Sequence, residues 1–154
     1  MSDRRSAASR DPIARASSLS ALIERFHTRR ATVGIIGLGY VGLPLAATFA
    51  DGGFAVIGFD VDRAKVDDLR AGTSYIKHIP ATRFARHLVA EPQAPGSASF
   101  FPTDEFAHLA VCDAIVICVP TPLTRNREPD LSYVVSTTET IGRHVRAGQL
   151  VVLE

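Results

Sequence analysis

The residues best suited to chemistry are three glycines, Gly37, Gly39 and Gly42, which lie between the apolar segments 32–36 and 43–50. In a turn from strand to helix, the first glycine permits a tight turn and the second lets a pyrophosphate approach the backbone. The third allows the helix to pack closely on the strand. The helix start adds amide donors and the positive end of its dipole. The spacing predicts a dinucleotide site, and the alternative is a tight turn that binds nothing.

An acidic residue stands where a dinucleotide site requires one. Asp60 ends a second apolar segment, 54–59, and lies 18 residues beyond the third glycine. A carboxylate there accepts hydrogen bonds from ribose hydroxyls and repels a 2′-phosphate, which favours NAD over NADP. Arg63 and Lys65 lie nearby and would offset part of that repulsion. The alternative, an acid at a helix start, suits Asp62 better than Asp60.

From residue 32 onward, strand-like and helix-like segments alternate. The predicted strands span 32–37, 54–60, 99–101, 114–119 and 149–153. The predicted helices span 41–51, 62–71, 80–90, 104–109 and 131–145. This alternation predicts an α/β fold, a Rossmann-type doubly wound parallel sheet of about five strands with right-handed crossovers.

A proline-flanked threonine follows the fourth predicted strand. Pro120 and Pro122 hold the backbone around Thr121 extended. In such sheets ligands bind at the carboxyl ends of the strands, where the strand order reverses. With the order 3-2-1-4-5, Thr121 lies across the cleft from the glycines and becomes a candidate cofactor contact. A stiff connector without chemistry is the alternative.

Composition and charge narrow the classes of function. The 154 residues are 46% hydrophobic, enough for one domain with a core. The net charge of +1 conceals seven arginines against three acids in residues 1–30, and ten basic against thirteen acidic residues in the rest. The acidic remainder argues against a nucleic-acid partner. No segment approaches the roughly 20 apolar residues that span a bilayer, so no membrane association is expected.

The two cysteines do not form a recognisable site. Cys112 and Cys118 are too far apart for a Cys-x-x-Cys redox pair, and no nearby histidine cluster would complete a metal site. Both are expected to be buried thiols in a reducing cytoplasm.

The first 30 residues differ from the rest of the chain. Residues 1–17 are rich in arginine, serine and alanine and are expected to be disordered, although an organelle transit peptide has a similar composition. A short amphipathic helix is expected within residues 18–30, from about Ser18 to Thr28, packed on the domain or on a partner. Its apolar stripe consists of Leu19, Leu22, Ile23 and Phe26. The dinucleotide-binding domain then spans 31–154.

The glycine and Pro-Thr-Pro segments resemble those of the nucleotide-sugar 6-dehydrogenases, the UDP-glucose/GDP-mannose dehydrogenase family. The resemblance covers about residues 18–154 and corresponds to the NAD-binding domain. It rests on segments 34–46, 58–62, 69–72, 118–123 and 151–154. Segments 75–80 and 127–130 are most similar to the UDP-N-acetylglucosamine 6-dehydrogenase branch, which serves bacterial polysaccharide biosynthesis.

The resemblance implies a reaction and a set of cofactor contacts. The reaction is the NAD-dependent oxidation of a UDP-sugar C6 hydroxymethyl group to a carboxylate, with two NAD and an enzyme thioester. The implied contacts are Tyr40 and Val41 at the pyrophosphate, Asp60 at the adenosine ribose, Lys65 near the adenosine and Thr121 beside the nicotinamide half. The full-length enzyme would be a cytoplasmic homodimer.

The family's catalytic residues are expected beyond Glu154. The nucleophilic cysteine, the other catalytic side chains, the dimerisation helix and the sugar-nucleotide domain would all follow it. Neither Cys112 nor Cys118 matches the nucleophile, so no catalytic residue is assigned, and the chain alone is expected to be an inactive fragment, natural or engineered.

Two questions stay open at this stage. The loop residues Lys77 and His78, and Arg125 and Arg127 after the fourth predicted strand, have no assigned role. The alternative function is a stand-alone, non-catalytic module that binds NAD or a partner.

Overall fold

The computed structural model describes residues 12–154, with side chains from residue 18 onward. The helices in this part of the chain are α1 (Pro12–His27), α2 (Gly42–Asp51), α3 (Arg63–Arg70) and α4 (Ser132–Gly142). The strands are β1 (Thr32–Ile36), β2 (Ala55–Phe59), β3 (Ser99–Thr103), β4 (Ala114–Ile117) and β5 (Leu150–Leu153). Short 3-10 helices span Ala81–Arg83, Ala85–His87 and Phe106–Val111.

The five strands form one sheet in the order β3-β2-β1-β4-β5, and every neighbouring pair is parallel. Ile35 in β1 lies opposite Gly58 in β2 and Val116 in β4. This arrangement confirms the predicted Rossmann-type sheet. The carboxyl ends of β1, β2 and β4 therefore meet at one edge, where the glycine turn begins.

Apolar residues on both faces of the sheet form two buried clusters. Val33 and Ile35 of β1 pack with the alanines of α2 on one face. Ile36 points to the opposite face and packs in the cluster that contains Ile141 of α4. Successive strand side chains point to opposite faces, so a strand covered on both sides reads as a continuous apolar run. Full burial of each large apolar side chain of this kind stabilises the fold by about 1.5–3 kcal/mol relative to leaving the side chain exposed.

The predicted helix at 80–90 is wrong. Residues 81–87 form two separate 3-10 turns, and Phe84 between them has φ −123° and ψ −20°. Its buried ring meets Phe100 edge-on, with ring centroids 6.2 Å apart. Leu88 is already extended and pairs with Phe100 in an isolated bridge. Contacts with β3, distant in sequence, therefore override the local helical tendency.

The boundaries of other elements also differ from prediction. β3 extends to Thr103, two residues beyond the predicted strand, and the segment predicted as the helix 104–109 is a 3-10 helix at Phe106–Val111. Because β3 is an edge strand, it accommodates Pro102 without losing a ladder hydrogen bond to a second neighbour.

The N-terminal helix is longer than expected. α1 begins at Pro12, so residues 12–17 are helical, while the rest of the segment predicted to be disordered, 1–11, lies outside the described residues. The predicted apolar stripe is only partly covered. Leu22 and Phe26 are half-buried, with the Phe26 ring 5.8 Å from that of Phe54. The other two members of the stripe, Leu19 and Ile23, stay exposed.

Candidate functional site

The first and third glycines of the turn are required by the protein's own packing. Gly37 has φ +92°, and a Cβ there would lie 2.6 Å from the carbonyl oxygen of Cys118 at the end of β4. A Cβ on Gly42 would lie 1.8 Å from the carbonyl oxygen of Gly37. Both distances are far below normal contact, so a larger residue would displace the backbone. These two glycines close the turn against β4 and α2.

Gly39 is different, because the space beside it is open. A Cβ built on this residue has no heavy atom within 4 Å among its described neighbours, and its φ lies outside the left-handed region. Neither packing nor backbone conformation therefore explains a glycine here. The backbone here is open, as it is in glycine turns that bind the phosphates of a dinucleotide.

The start of α2 beside Gly39 is uncapped. Within the described chain, no side chain accepts a hydrogen bond at its N-cap, Val41, and the first turn carries no acid. The start of α3 contrasts with it, because the Asp62 carboxylate there accepts a hydrogen bond from the Ala64 N–H at 3.0 Å. Among the described residues, neither the N-cap nor the first turn of α2 therefore supplies a counter-charge to the positive end of its dipole, which is a setting that suits an anion.

Asp60 lies next to the turn and ties it to the end of β2. Its Oδ2 accepts a hydrogen bond from the Leu38 N–H at 3.0 Å, and its Oδ1 accepts one from the Asp62 N–H at 3.0 Å. The Nζ of Lys65, on α3, lies 3.9 Å from Oδ2. Asp60 is only 6% exposed. A carboxylate has about four acceptor positions, so two backbone bonds leave room for ribose hydroxyls.

Tyr75, to which the sequence pattern assigned no role, also contacts the turn. Its hydroxyl donates a hydrogen bond to the carbonyl oxygen of Leu38. Its ring lies below Lys65, with Nζ 5.9 Å from the ring centroid. The two hydrogen-bonded residues are 37 positions apart, and no local spacing rule connects them.

The remaining candidate residues are exposed around this edge. Tyr40 and Val41 are 76% and 47% exposed, so their side chains are turned away from the core while their backbone stays in the turn. Thr121 is exposed and follows Cys118 by three residues, which places it at the same edge of the sheet as the glycines. The four residues without an assigned role are also exposed. They are Lys77, His78, Arg125 and Arg127.

Neither cysteine is prepared to act as a nucleophile. Burial, with the charge of Asp113 as a second cause, raises the pKa of Cys112 to about 12. Burial, with the charge of Glu154, raises the pKa of Cys118 to about 11. Both therefore remain thiols at neutral pH, whereas a nucleophilic cysteine needs its thiolate.

The described part of the chain, residues 12–154, contains neither a clustered metal site nor a helix able to cross a bilayer. There, no group of three or more histidine, cysteine or acidic side chains converges as a metal site would require. No helix in the same range has the length and apolar character needed to cross a bilayer.

Comparison with known proteins agrees with the geometry. Residues 31–154 match the sequence model of the UDP-glucose/GDP-mannose dehydrogenase family, NAD binding domain. The chain belongs to this family. Its cofactor is accordingly NAD, which the open Gly39 and the uncapped α2 fit.

Individual relatives lie in the same family. The chain is 34% identical over 122 residues to the UDP-N-acetyl-D-glucosamine 6-dehydrogenase of Pseudomonas aeruginosa, covering 79% of this chain and 26% of that protein. It is 36% identical over 124 residues to the UDP-N-acetyl-D-mannosamine dehydrogenase of Escherichia coli K12, covering 80% and 27%. The solved UDP-D-ManNAc dehydrogenase of Pyrococcus horikoshii superposes with a TM-score of 0.70 at 30% identity, covering 80% and 28%. The chain thus spans about a quarter of the length of the relatives it matches.

Proposed function

We propose that this chain is the NAD-binding portion of a UDP-sugar 6-dehydrogenase that oxidises the C6 hydroxymethyl group of UDP-N-acetylglucosamine to a carboxylate with two NAD. The observation that carries the proposal is the glycine turn, where Gly39 is open although Gly37 and Gly42 are packed against protein. The relatives support a UDP-sugar as substrate, since their names include both UDP-N-acetylglucosamine and UDP-N-acetylmannosamine enzymes. The choice between these sugars rests on the loop segments 75–80 and 127–130.

The positions of the residues support the cofactor contacts that the family resemblance implies. The backbone of Gly39, Tyr40 and Val41 at the uncapped start of α2 binds the pyrophosphate. Gly37 and Gly42 keep the turn in shape.

The other contacts lie on either side of the turn. Asp60 accepts hydrogen bonds from the adenosine ribose hydroxyls, and Lys65 lies beside the adenosine. Thr121, on the β4 side, contacts the nicotinamide half. NAD, when bound, accepts the hydride from the sugar carbon.

We further propose that the chain by itself binds NAD without turnover. Forming a thioester requires a cysteine thiolate, and the thiols of Cys112 and Cys118 are both protonated at neutral pH. We therefore assign no nucleophile within residues 18–154. The catalytic groups and the homodimer contacts are assigned to a further part of the enzyme, which works in the cytoplasm.

Calorimetry with Gly39→Ala tests the cofactor site. The variant should keep the melting temperature of the unsubstituted chain, because the new Cβ meets no atom within 4 Å. It should lose at least about tenfold in NAD affinity, because the Cβ occupies the space of the pyrophosphate.

Gly142→Ala is the matched control for this experiment. Gly142 ends α4 and also has no atom within 4 Å of an added Cβ, so this variant should bind NAD normally. NAD binding by Gly39→Ala at full affinity would contradict the assignment of the turn.

A second assay tests the absence of turnover. The chain mixed with NAD and UDP-N-acetylglucosamine should give no increase in NADH absorbance. A sustained increase, abolished by Gly39→Ala, would show that the catalytic groups are present here after all.

A stand-alone module that binds NAD or a partner is the second candidate function. It is favoured by the exposure of two apolar side chains on α1, Leu19 at 59% and Ile23 at 47%. The nucleotide sequence past codon 154 distinguishes the two functions. Coding for a cysteine-bearing domain would support the dehydrogenase, and a stop codon there would support the module.

A further inference from the structure

Leu38, between the first two glycines, is held by both of its backbone polar groups. Its N–H donates to Oδ2 of Asp60 at 3.0 Å, and its carbonyl oxygen accepts from the Tyr75 hydroxyl. Its side chain is fully buried. The two partners come from different elements, the end of β2 and the loop after α3. Hydrogen bonds from two separate elements therefore fix the turn at this one residue.

Tyr75 is well suited to remain a donor. Burial, together with the negative charges of Asp60, Asp62 and Asp68, raises the pKa of its hydroxyl. The group thus stays protonated at neutral pH. Its ring packs against the core cluster that includes Leu38, so the hydroxyl is directed by packing.

Tyr75 also contacts the second group proposed for the adenosine side. Lys65 Nζ lies 5.9 Å from the ring centroid and 3.9 Å from Oδ2 of Asp60. The tyrosine ring therefore supports the lysine, and the tyrosine hydroxyl supports the turn. These contributions are separable, because phenylalanine keeps the ring and loses only the hydroxyl.

We propose that Tyr75 is a positioning residue whose hydroxyl holds the glycine turn in the shape that receives the pyrophosphate of NAD. The role rests on the proposed function of the turn. Tyr75 acts through the Leu38 carbonyl: once this bond is removed, the N–H is the only backbone polar group of Leu38 that keeps its partner. The Gly39 carbonyl still accepts from the Leu43 N–H, but the peptide between Leu38 and Gly39 gains freedom to rotate. The phosphate-binding shape is then one of several conformations, which lowers affinity by the fraction of molecules that adopt it.

The test compares Tyr75→Phe with the unsubstituted chain for two ligands, NAD and adenosine. NAD affinity should fall about 3- to 10-fold, the effect of one hydrogen bond. Adenosine has no phosphate and keeps its contacts with Asp60 and Lys65, so its affinity, followed by NMR titration, should not change. Tyr133→Phe is the control, since Tyr133 is half-exposed on α4 and should affect neither ligand.

Amide hydrogen exchange supplies a readout that a merely structural role would not produce. Tyr75→Phe should speed exchange in residues 37–42 and leave the strands unchanged. Equal NAD affinity of the variant and the unsubstituted chain would overturn the role of Tyr75 alone. A parallel loss for NAD and adenosine with faster exchange throughout the sheet would also overturn it, as a general loss of stability. Failure of the unsubstituted chain to bind NAD would overturn the proposed function and this role together.

Discussion

A buried carboxylate lies beside each end of β1 and accepts a backbone hydrogen bond there, yet the two carboxylates, Asp113 before β4 and Asp60 after β2, have different partners. At the amino end, Asp113 Oδ2 accepts from the Thr32 N–H at 2.8 Å and lies 3.1 Å from Arg25, while its Oδ1 lies 3.2 Å from Arg146. Just beyond the carboxyl end, Asp60 accepts from two backbone N–H groups, and its ion pair is the longer one to Lys65.

This difference separates a carboxylate that two guanidinium groups neutralise from one that lacks a guanidinium partner and for which we propose ribose hydroxyls as further donors. Two guanidinium groups and one amide neutralise and satisfy Asp113, which thereby links α1, β1 and the segment before β5. Asp60 has no guanidinium partner among the described residues, and it lies beside the open Gly39. Parallel sheets bind ligands at the carboxyl ends of their strands. Here two arginines close the opposite end of the sheet, beside the amino end of β1.

Gly42→Ala should have the largest effect on stability, because the new side chain would displace the glycine turn at the carboxyl ends of the strands. The added Cβ would lie 1.8 Å from the Gly37 carbonyl oxygen, so the turn or α2 must shift. We expect about 3 kcal/mol or more of lost stability in urea unfolding. The same substitution at Gly39 should cost less than about 1 kcal/mol. Equal losses at the two glycines would refute the distinction between a packed and an open glycine.

Asp113→Ala should have the next largest effect and should act on stability alone. It leaves the buried Thr32 N–H without its acceptor and two arginines without their partner. We expect a loss of about 2–3 kcal/mol in the free energy of unfolding, with NAD affinity per folded molecule unchanged. Reduced NAD affinity at a concentration where the variant is fully folded would show that this end of the sheet also serves the ligand.

Asp60→Ala should act mainly on binding. NAD affinity should fall by about 1–3 kcal/mol in calorimetry, because charge-assisted hydrogen bonds to the ribose are lost. The Leu38 and Asp62 N–H groups also lose their acceptor, so some stability is lost as well. Asp60→Asn keeps the size and one acceptor oxygen, so it loses one of the two backbone hydrogen bonds together with the charge. It should narrow the preference for NAD over NADP, and an unchanged preference would contradict the assignment.

The smallest effect is expected at Asp51, which ends α2 towards the amino ends of the strands. Hydrogen bonds from Arg86 and His87 lower the pKa of Asp51 to about 2, from 3.8. A lowered folded-state pKa stabilises the fold above pH ~4, and this contribution disappears as the pH falls towards 2. The stability difference between the unsubstituted chain and Asp51→Asn should therefore shrink over that interval. Asp68→Asn, at an exposed acid, is the control, and a constant difference from pH 5 to pH 2 would disprove the linkage.

The sequence predicted the parallel sheet because apolar runs and glycines are local signals, and the strand order then followed from the order common to such sheets. It also predicted that Asp62 suits a helix start, and the structure shows it at the N-cap of α3. The prediction failed at residues 80–90, where Phe84 and Leu88 contact Phe100 of β3 and do not form a helix. It also missed the contact of Tyr75 with the turn, because that contact joins residues 37 positions apart.

The burial of the strands also could not be predicted from residue types alone. β4 and β5 are both short apolar runs, but all four residues of β4 are buried while all four of β5 are exposed at the edge of the sheet. The residue types alone cannot distinguish these environments, since burial depends on which elements cover a strand.

By itself, the sequence determined the glycine spacing, the acid after the second strand and the alternation of elements, because each depends on backbone conformation and hydrophobicity within a few residues. Only the tertiary structure decided which glycine stays open, which carboxylate is closed by arginines and which tyrosine holds the turn. Those properties depend on distances of 2–4 Å between segments far apart in the chain, and only the packed fold sets such distances.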